Sequence, residues 1–259
     1  SHRMSFDGAS VYTRGDYITP LGAVKVNREL ASSLVKENPV FTDVPDAHLY
    51  EHSLEVQLPF LQYRMKTEFR IIPIVLGTQS AASANKIAQA LKPYLNDRNL
   101  FIISTDFSHY PEYDDACLVD KATAGAIIKN SPEHLLKVLE ENDRKGIDDL
   151  ATSLCGWTSV MTLLYMTEER SDLIYREIKY MNSGDSPLYG DKDRVVGYFA
   201  IAVEQSSLAK QNDSFSLNEE ERKLLLQIAR QTMEQYVSKG KVAPVDEKAL
   251  PARLREHSG

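Results

Sequence analysis

The sequence predicts an α/β fold with a partly parallel sheet. Two short stretches rich in Ile and Val, Phe69 to Leu76 and Leu100 to Ser104, have the composition of buried strands. Between them, Ala84 to Leu95 places apolar residues at helical spacing. The order strand, helix, strand favours a parallel pair joined by a crossover helix. Two later stretches, Leu173 to Met181 and Arg194 to Glu204, alternate as strands do, which extends the predicted sheet.

Helices account for most of the remaining pattern. Asn27 is a suitable N-cap for a short helix near residues 27–37. Pro59 should kink or delimit a second apolar stripe that runs from Leu54 to Met65. Further helical stretches are Asp115 to Lys129, Pro132 to about Glu141, and Asp148 to Glu168 with an interruption near Cys155-Gly156. The stretch Val195 to Val203 is nearly all apolar, which predicts a central strand.

A polar linker divides the chain. Residues 205–215 are rich in Ser, Asn and Gln and separate an expected α/β domain, residues 1–204, from residues 216–259. The second part opens with an amphipathic helix that carries Leu217, Leu224, Leu225 and Ile228, so we expect a C-terminal helical extension. Lys241 to Gly259 is charged and has few large apolar residues, and it cannot form a core alone.

Composition excludes several classes of protein. The 259 residues carry a net charge of −7 and a pI near 5.5, which argues against a nucleic-acid-binding surface. No apolar run approaches the roughly 20 residues of a membrane span, so no membrane partner is expected. Two cysteines, Cys117 and Cys155, do not make a disulfide framework, and a reducing cytoplasm is the expected location.

The strongest candidate site follows the predicted strand at Leu100. The stretch Ser104 to His109 ends an apolar run in an acid and an imidazole, Asp106 and His109. Open α/β sheets place their ligand crevices at such strand ends. Asp106 can orient or charge-stabilise His109, and His109 can move a proton or bind a metal near neutral pH. The structural alternative is a polar loop in which Asp106 caps the next helix.

Three other groups are candidates, each with a structural alternative. In Glu51-His52-Ser53-Leu54-Glu55, His52 and Glu55 could share a helix face, or the acids could serve as helix caps. Cys155 precedes a glycine at a helix start, where thiolates are stabilised for metal ligation or nucleophilic attack, or it is a small buried hydrophobe. His2 is a terminal histidine, and Ser1-His2 could be the scar of a cleaved tag. Four further residues are expected to be structural, surface or satisfied: Cys117, His48, His134 and His257.

Taken together, these motifs resemble the MEMO family, the protein B component of the AmmeMemoRadiSam system. The resemblance covers about residues 1–204, in the family's order. Its elements are Ser1-His2 (family G-P-S-H), Glu51 to Pro59 (E-H-S-(I/L)-E-x-x-L-P), Ile72 to Gly77, Ser104 to His109 (S-(S/T)-D-(F/L)-(S/C)-H), Cys155-Gly156 and Val196 to Tyr198.

The resemblance implies a fold and a metal centre. The family is similar to class III extradiol ring-cleaving dioxygenases, so a layered α/β/α sandwich with a central mixed sheet is implied. By position, His2 resembles one histidine ligand and Cys155 the cysteine ligand of a non-haem iron, although copper and zinc also suit such ligands. His109 resembles the acid/base histidine near the metal, with Asp106 beside it, and His52 and Glu55 belong to the pocket or structural signature.

One family segment has no counterpart here. The first metal-binding histidine of the family lies in a P-H-A-G-Y segment upstream of G-P-S-H, and that segment is absent from this sequence. The expectation is an N-terminally truncated chain with impaired metal binding, because two protein ligands seldom make a stable site. Residues Ser216 to Val237 resemble the opening helix of an AMMECR-type (protein A) domain, so a fusion cut off after that helix is expected.

Three functions remain open at this point. The first is a metal-dependent redox or dioxygenase-like enzyme acting on an unknown small molecule or peptide, with a radical SAM protein of the same system as partner. The second is a non-catalytic module that binds a peptide or protein. The third is thiol-dependent hydrolysis, with Cys155 as nucleophile and His109 as base.

Overall fold

The computed structural model describes residues 4–49, 51–65, 67–188, 190–206 and 219–241. Two compact units meet in sequence between Ser206 and Ser207. His2, His257 and most of the predicted linker lie outside the described residues. Within the described ranges, eight strands and eight α-helices form a mixed α/β fold, as the sequence predicts.

The strands are short except for the last two. In chain order they are β1 (Ala9–Val11), β2 (Tyr17–Thr19), β3 (Gly22–Val26), β4 (Phe41–Thr42), β5 (Arg70–Ile71), β6 (Ile74–Leu76), β7 (Leu173–Asn182) and β8 (Gly197–Gln205). They form three small sheets with the orders β4-β1-β6, β2-β3-β5 and β7-β8. Pairing is parallel between β1 and β4 and between β3 and β5, and antiparallel in the other pairs. The fold is therefore mixed and partly parallel.

Seven helices belong to the first unit and one to the second. They are α1 (Arg28–Glu37), α2 (Asp46–Leu49), α3 (Leu58–Arg64), α4 (Ala81–Leu91), α5 (Tyr113–Ile128), α6 (Pro132–Arg144), α7 (Trp157–Thr167) and, in the second unit, α8 (Glu219–Lys239). Asn27 caps α1 as predicted, since its side chain accepts the Leu30 N–H at 3.2 Å. Pro59 lies in the first turn of α3, and a separate 3₁₀ turn, Glu55–Gln57, precedes it.

Several sequence predictions were wrong in detail. The expected parallel pair around α4 does not form, because β6 pairs antiparallel with β1 and Leu100 to Ser104 is not in a strand. Pro73 has no N–H for a ladder, and the predicted strand at Phe69 breaks there into β5 and β6. The helix predicted from Asp148 begins only at Trp157.

Two apolar clusters form the core of the first unit. One surrounds Phe107 and contains residues of α5, α6 and α7, including Leu135 and Leu164. The other joins β1, α1 and α4 and includes Leu34 and Ile87. Helix α7 contributes to both clusters, so its N-terminus, where Cys155 lies, is held against a well-packed support.

Candidate functional site

The segment of residues 104–110, here called the site segment, is held on both edges by backbone hydrogen bonds. On one edge, the Phe107 N–H donates to the Gly197 carbonyl at 2.9 Å, and the Gly197 N–H donates to the Ser108 carbonyl at 2.9 Å. On the other edge, the His109 N–H donates to the Thr152 carbonyl at 3.0 Å. The predicted central strand therefore has β7 on one side over most of its length, and the site segment on the other side near its start.

Asp106 and His109 face each other across this segment. His109 Nε2 lies 3.6 Å from Asp106 Oδ2, an ion-pair contact that is longer than a hydrogen bond. The side chain of His109 is 19% exposed and that of Asp106 is 43% exposed, so the pair is open to solvent mainly through the acid. The charge of Asp106 also reaches Tyr198, whose pKa is raised first by burial and then by that carboxylate. The pair can accept, hold and release a proton at a partly enclosed surface.

Cys155 is joined to the same segment by two hydrogen bonds. Its N–H donates to the Asp106 carbonyl at 3.2 Å, and its Sγ accepts the Asp106 N–H at 3.2 Å. Thr105 Oγ1 lies 3.6 Å from Sγ and accepts the Gly156 N–H at 2.8 Å. A Cβ at Gly156 would lie 2.7 Å from Thr105, which explains why glycine fits between Cys155 and α7. The thiol and the acid/base pair are thus fixed to one another through the Asp106 backbone.

Asp120, which the sequence interpretation missed, lies behind the site segment. Its buried carboxylate accepts the Ser108 N–H at 2.8 Å and the Tyr180 hydroxyl at 2.8 Å. Burial raises the pKa of Asp120, and these two hydrogen bonds partly offset that rise. A Cβ at Gly197 would overlap Asp120 Oδ2, so the strand needs glycine there. The available signal was an acid on the apolar face of α5, next to Val119.

The Glu51 to Glu55 motif is arranged differently from the helix that was expected. Glu51 is buried, and its Oε1 accepts the N–H groups of His52 and Ser53 at 3.0 and 3.1 Å, which is a capping arrangement. His52 precedes the 3₁₀ turn that Glu55 opens, so the two do not share a helix face. The 3₁₀ turn that follows the motif contacts the site segment, since Gln57 Nε2 donates to Ser104 Oγ at 3.1 Å.

The other described histidines and cysteine, His48, His134 and Cys117, lie outside the site segment. His48, expected to be a surface or satisfied residue, is buried. Its Nε2 lies 3.1 Å from Ser10 Oγ, and its Nδ1 has no hydrogen-bond partner among the described residues. Burial lowers the pKa of His48. His134 lies on the surface against Lys129. Cys117, within α5, accepts a hydrogen bond from the side chain of Asn182.

The comparison with protein families identifies the chain. The family described as "Memo-like protein" matches residues 1–202. The chain belongs to the Memo-like family. Similar proteins are MEMO1 family proteins of Thermoplasma acidophilum, 33% identical over 78% of this chain, and of Ignicoccus hospitalis, 38% identical over 71% of it.

The matches cover only part of the relatives. They span 70% of the Thermoplasma protein and 62% of the Ignicoccus protein, and 65% of a third relative, from Saccharolobus islandicus, that is 34% identical over 74% of this chain. About a third of each relative therefore lies outside the match. In the described part of this Memo-like protein, no helix is long and apolar enough to cross a membrane.

Proposed function

We propose that this Memo-like protein performs metal-dependent redox chemistry, with His109 and Asp106 handling protons and Cys155 as a metal ligand. The observation that carries this proposal is that Asp106 contacts both of the other residues, its N–H with Cys155 Sγ and its carboxylate with His109 Nε2. A thiolate ligand suits soft or redox-active metals such as iron, and also copper and zinc.

The described side chains do not complete a metal centre. Among them, no group of three or more His, Cys, Asp and Glu residues has the arrangement that could hold a metal ion. Cys155 is a single soft ligand, and the second ligand that we propose, His2, lies outside the described residues. Since two protein ligands seldom suffice, we derive no chemical step through a metal.

The chain's own residues support proton transfer without further assumptions. Neutral His109 can take a proton from a substrate group, and the Asp106 carboxylate then stabilises the imidazolium across 3.6 Å. Such contacts are often long before a substrate binds and shorten in the complex. Within the described residues, no hydrogen bond links Cys155 Sγ to His109, which makes a thiol nucleophile with His109 as its base the weaker proposal.

Metal binding can be tested with a matched pair of cysteine variants. The protein is titrated anaerobically with Fe(II) and, separately, with Co(II), whose thiolate charge-transfer absorption reports direct sulfur ligation. We expect the absorption with the parent protein and with Cys117→Ser, and its loss with Cys155→Ser. Equal metal binding and absorption in Cys155→Ser, or no metal binding by the parent at millimolar concentrations, would contradict the proposal.

We also propose that residues 216–259 open an AMMECR-type domain and that a radical SAM protein of the same system is the partner. The separation of residues 207–259 into a unit of their own supports the first proposal. Co-purification of the radical SAM protein with the full chain, and its loss on truncation after Ser206, would support the partnership. Co-purification that survives the truncation would place the contact in the first unit.

A further inference from the structure

An exposed arginine lies close to the acid/base pair. The guanidinium carbon of Arg194 is 4.9 Å from the centre of the Tyr110 ring, and that ring centre is 5.6 Å from the centre of the His109 ring. In the described part of the chain, the side chain of Arg194 makes no ion pair and no hydrogen bond. Its five N–H donors are therefore open to solvent, in a planar fork that matches a carboxylate.

The backbone fixes this arginine next to the tyrosine. The Tyr110 N–H donates to the Val195 carbonyl at 2.7 Å, and the Val195 N–H donates to the Pro111 carbonyl at 3.0 Å. Val195 itself is fully buried. Arg194 therefore extends from a fixed point of the core, and a ligand that binds its guanidinium has little backbone motion to arrest.

Tyr110 has a backbone conformation that tyrosine rarely adopts. Its φ of 74° lies in the left-handed region, where a bulky side chain is strained. The residue is 45% exposed, so burial of the ring in the core does not account for this conformation. The conformation does bring the ring into contact with both His109 and Arg194. Strained residues of this kind cluster at functional sites.

A second cation on the same segment is placed differently. Lys192 Nζ lies 4.3 Å from the centre of the Tyr113 ring, and the Tyr113 hydroxyl donates to Asp185 at 2.7 Å. The pKa of Asp185 is lowered mainly by that hydroxyl and also by the charge of Lys192, so the lysine already faces a carboxylate. Of these two cations, Arg194 is the one that is open to an external anion.

We propose that Arg194, supported by the Tyr110 ring, binds the carboxylate of the small molecule on which His109 acts. One guanidinium balances one negative charge, and the carboxylate of Asp106 is also nearby, so a carboxylate fits this position better than a doubly charged phosphate. The inference rests on the proton transfer proposed above for His109, and it identifies the substrate as a small organic acid.

The test is the binding of hexanoate to the full chain, followed through the backbone N–H signal of Tyr110 in nitrogen-15-labelled protein. Hexanamide has nearly the same shape without the charge and is the matched ligand. We expect hexanoate to bind with a millimolar dissociation constant and hexanamide to bind at least tenfold more weakly, because only the acid forms a charge-assisted pair. The measurement needs neither a metal nor turnover, so failure of the proposed redox function would leave it unchanged.

Variants of the two cations provide the matched comparison. Arg194→Ala should weaken hexanoate binding at least tenfold, and Arg194→Lys, which keeps the charge and loses the fork, several-fold. Lys192→Ala should change it less than twofold. The proposal is overturned if hexanoate does not bind at up to about 50 mM or if hexanamide binds equally well. It is also overturned if Arg194→Ala binds hexanoate as the parent does, or if Lys192→Ala weakens binding as much as Arg194→Ala.

Discussion

Two substitutions of Asp120 can separate the contribution of its hydrogen bonds to stability from the contribution of its charge. Asp120→Ala removes the acceptor of the buried Ser108 N–H and of the half-buried Tyr180 hydroxyl. A buried donor left unpaired costs about 1–3 kcal/mol. Because Tyr180 is only half-buried, water can partly replace the hydrogen bond of its hydroxyl. The alanine variant is therefore expected to lose about 3 kcal/mol in the free energy of unfolding.

Asp120→Asn provides the comparison, because it also removes the charge. Its amide oxygen can accept the Ser108 N–H, and its NH₂ can donate to the Tyr180 oxygen, which is an acceptor as well as a donor. We expect the asparagine variant to lie within about 1 kcal/mol of the parent. Both variants remove the buried charge and with it the cost of desolvating that charge. The difference in stability between them, about 2 kcal/mol, therefore reports the hydrogen bonds alone.

The assay is urea unfolding followed by the fluorescence of Trp157, the only tryptophan in the chain. The change in midpoint at constant slope gives the difference in the free energy of unfolding. Asp143 on α6 is exposed and serves as the control, since Asp143→Ala and Asp143→Asn should differ by no more than about 0.5 kcal/mol. Equal stability of the alanine and asparagine variants at position 120 would refute the reasoning.

Three further predictions follow from the same contacts. Because burial raises the pKa of Asp120 above its unfolded value, the stability that it contributes is full at pH below about 4 and declines as pH rises through the folded value. Asp120→Asn should therefore gain stability relative to the parent in urea unfolding as the pH rises above about 4, and a difference that stays constant with pH would count against this prediction. Gly197→Ala places a Cβ on Asp120 and should cost about 3 kcal/mol in the same assay, whereas Gly125→Ala, in open space within α5, should stabilise by about 0.5–1 kcal/mol. Thr105→Val removes the acceptor of the N–H at the start of α7 and should destabilise by about 1 kcal/mol and raise the rate of Cys155 alkylation by iodoacetamide several-fold; an unchanged rate would show that Thr105 does not shield the thiol.

Helices were predicted more accurately than strands, for a physical reason. The signals that start α1 and α6 are local, since Asn27 and Ser131 each accept an N–H three residues further on. Strands β1 to β4 contain between two and five residues and are defined by partners elsewhere in the chain. The stretch at Leu100 has strand composition, yet composition cannot specify whether a partner is present.

The candidate site divides in the same way. The motif around Asp106 and His109 is contiguous, and the sequence predicts it as a unit. The contact of Cys155 Sγ with the Asp106 N–H joins residues 49 positions apart, and no spacing rule anticipates it. Asp120 acts through the backbone of Ser108, a role that depends on how α5 packs against the site segment. The metal ligation implied by the family resemblance stays a prediction.

The backbone, more than the side chains, holds the site in place. His109 is fixed by its own N–H to Thr152 and by its carbonyl, which accepts from Ala151 at 3.0 Å. Asp106 is fixed by its carbonyl and N–H to Cys155, and neither bond uses its carboxylate. Replacing the imidazole or the carboxylate should therefore leave the segment in position, and a loss of function in His109→Ala or Asp106→Asn would report chemistry. Replacing Asp120 or Thr105 should instead displace the segment, because these side chains hold the backbone that carries the reactive groups.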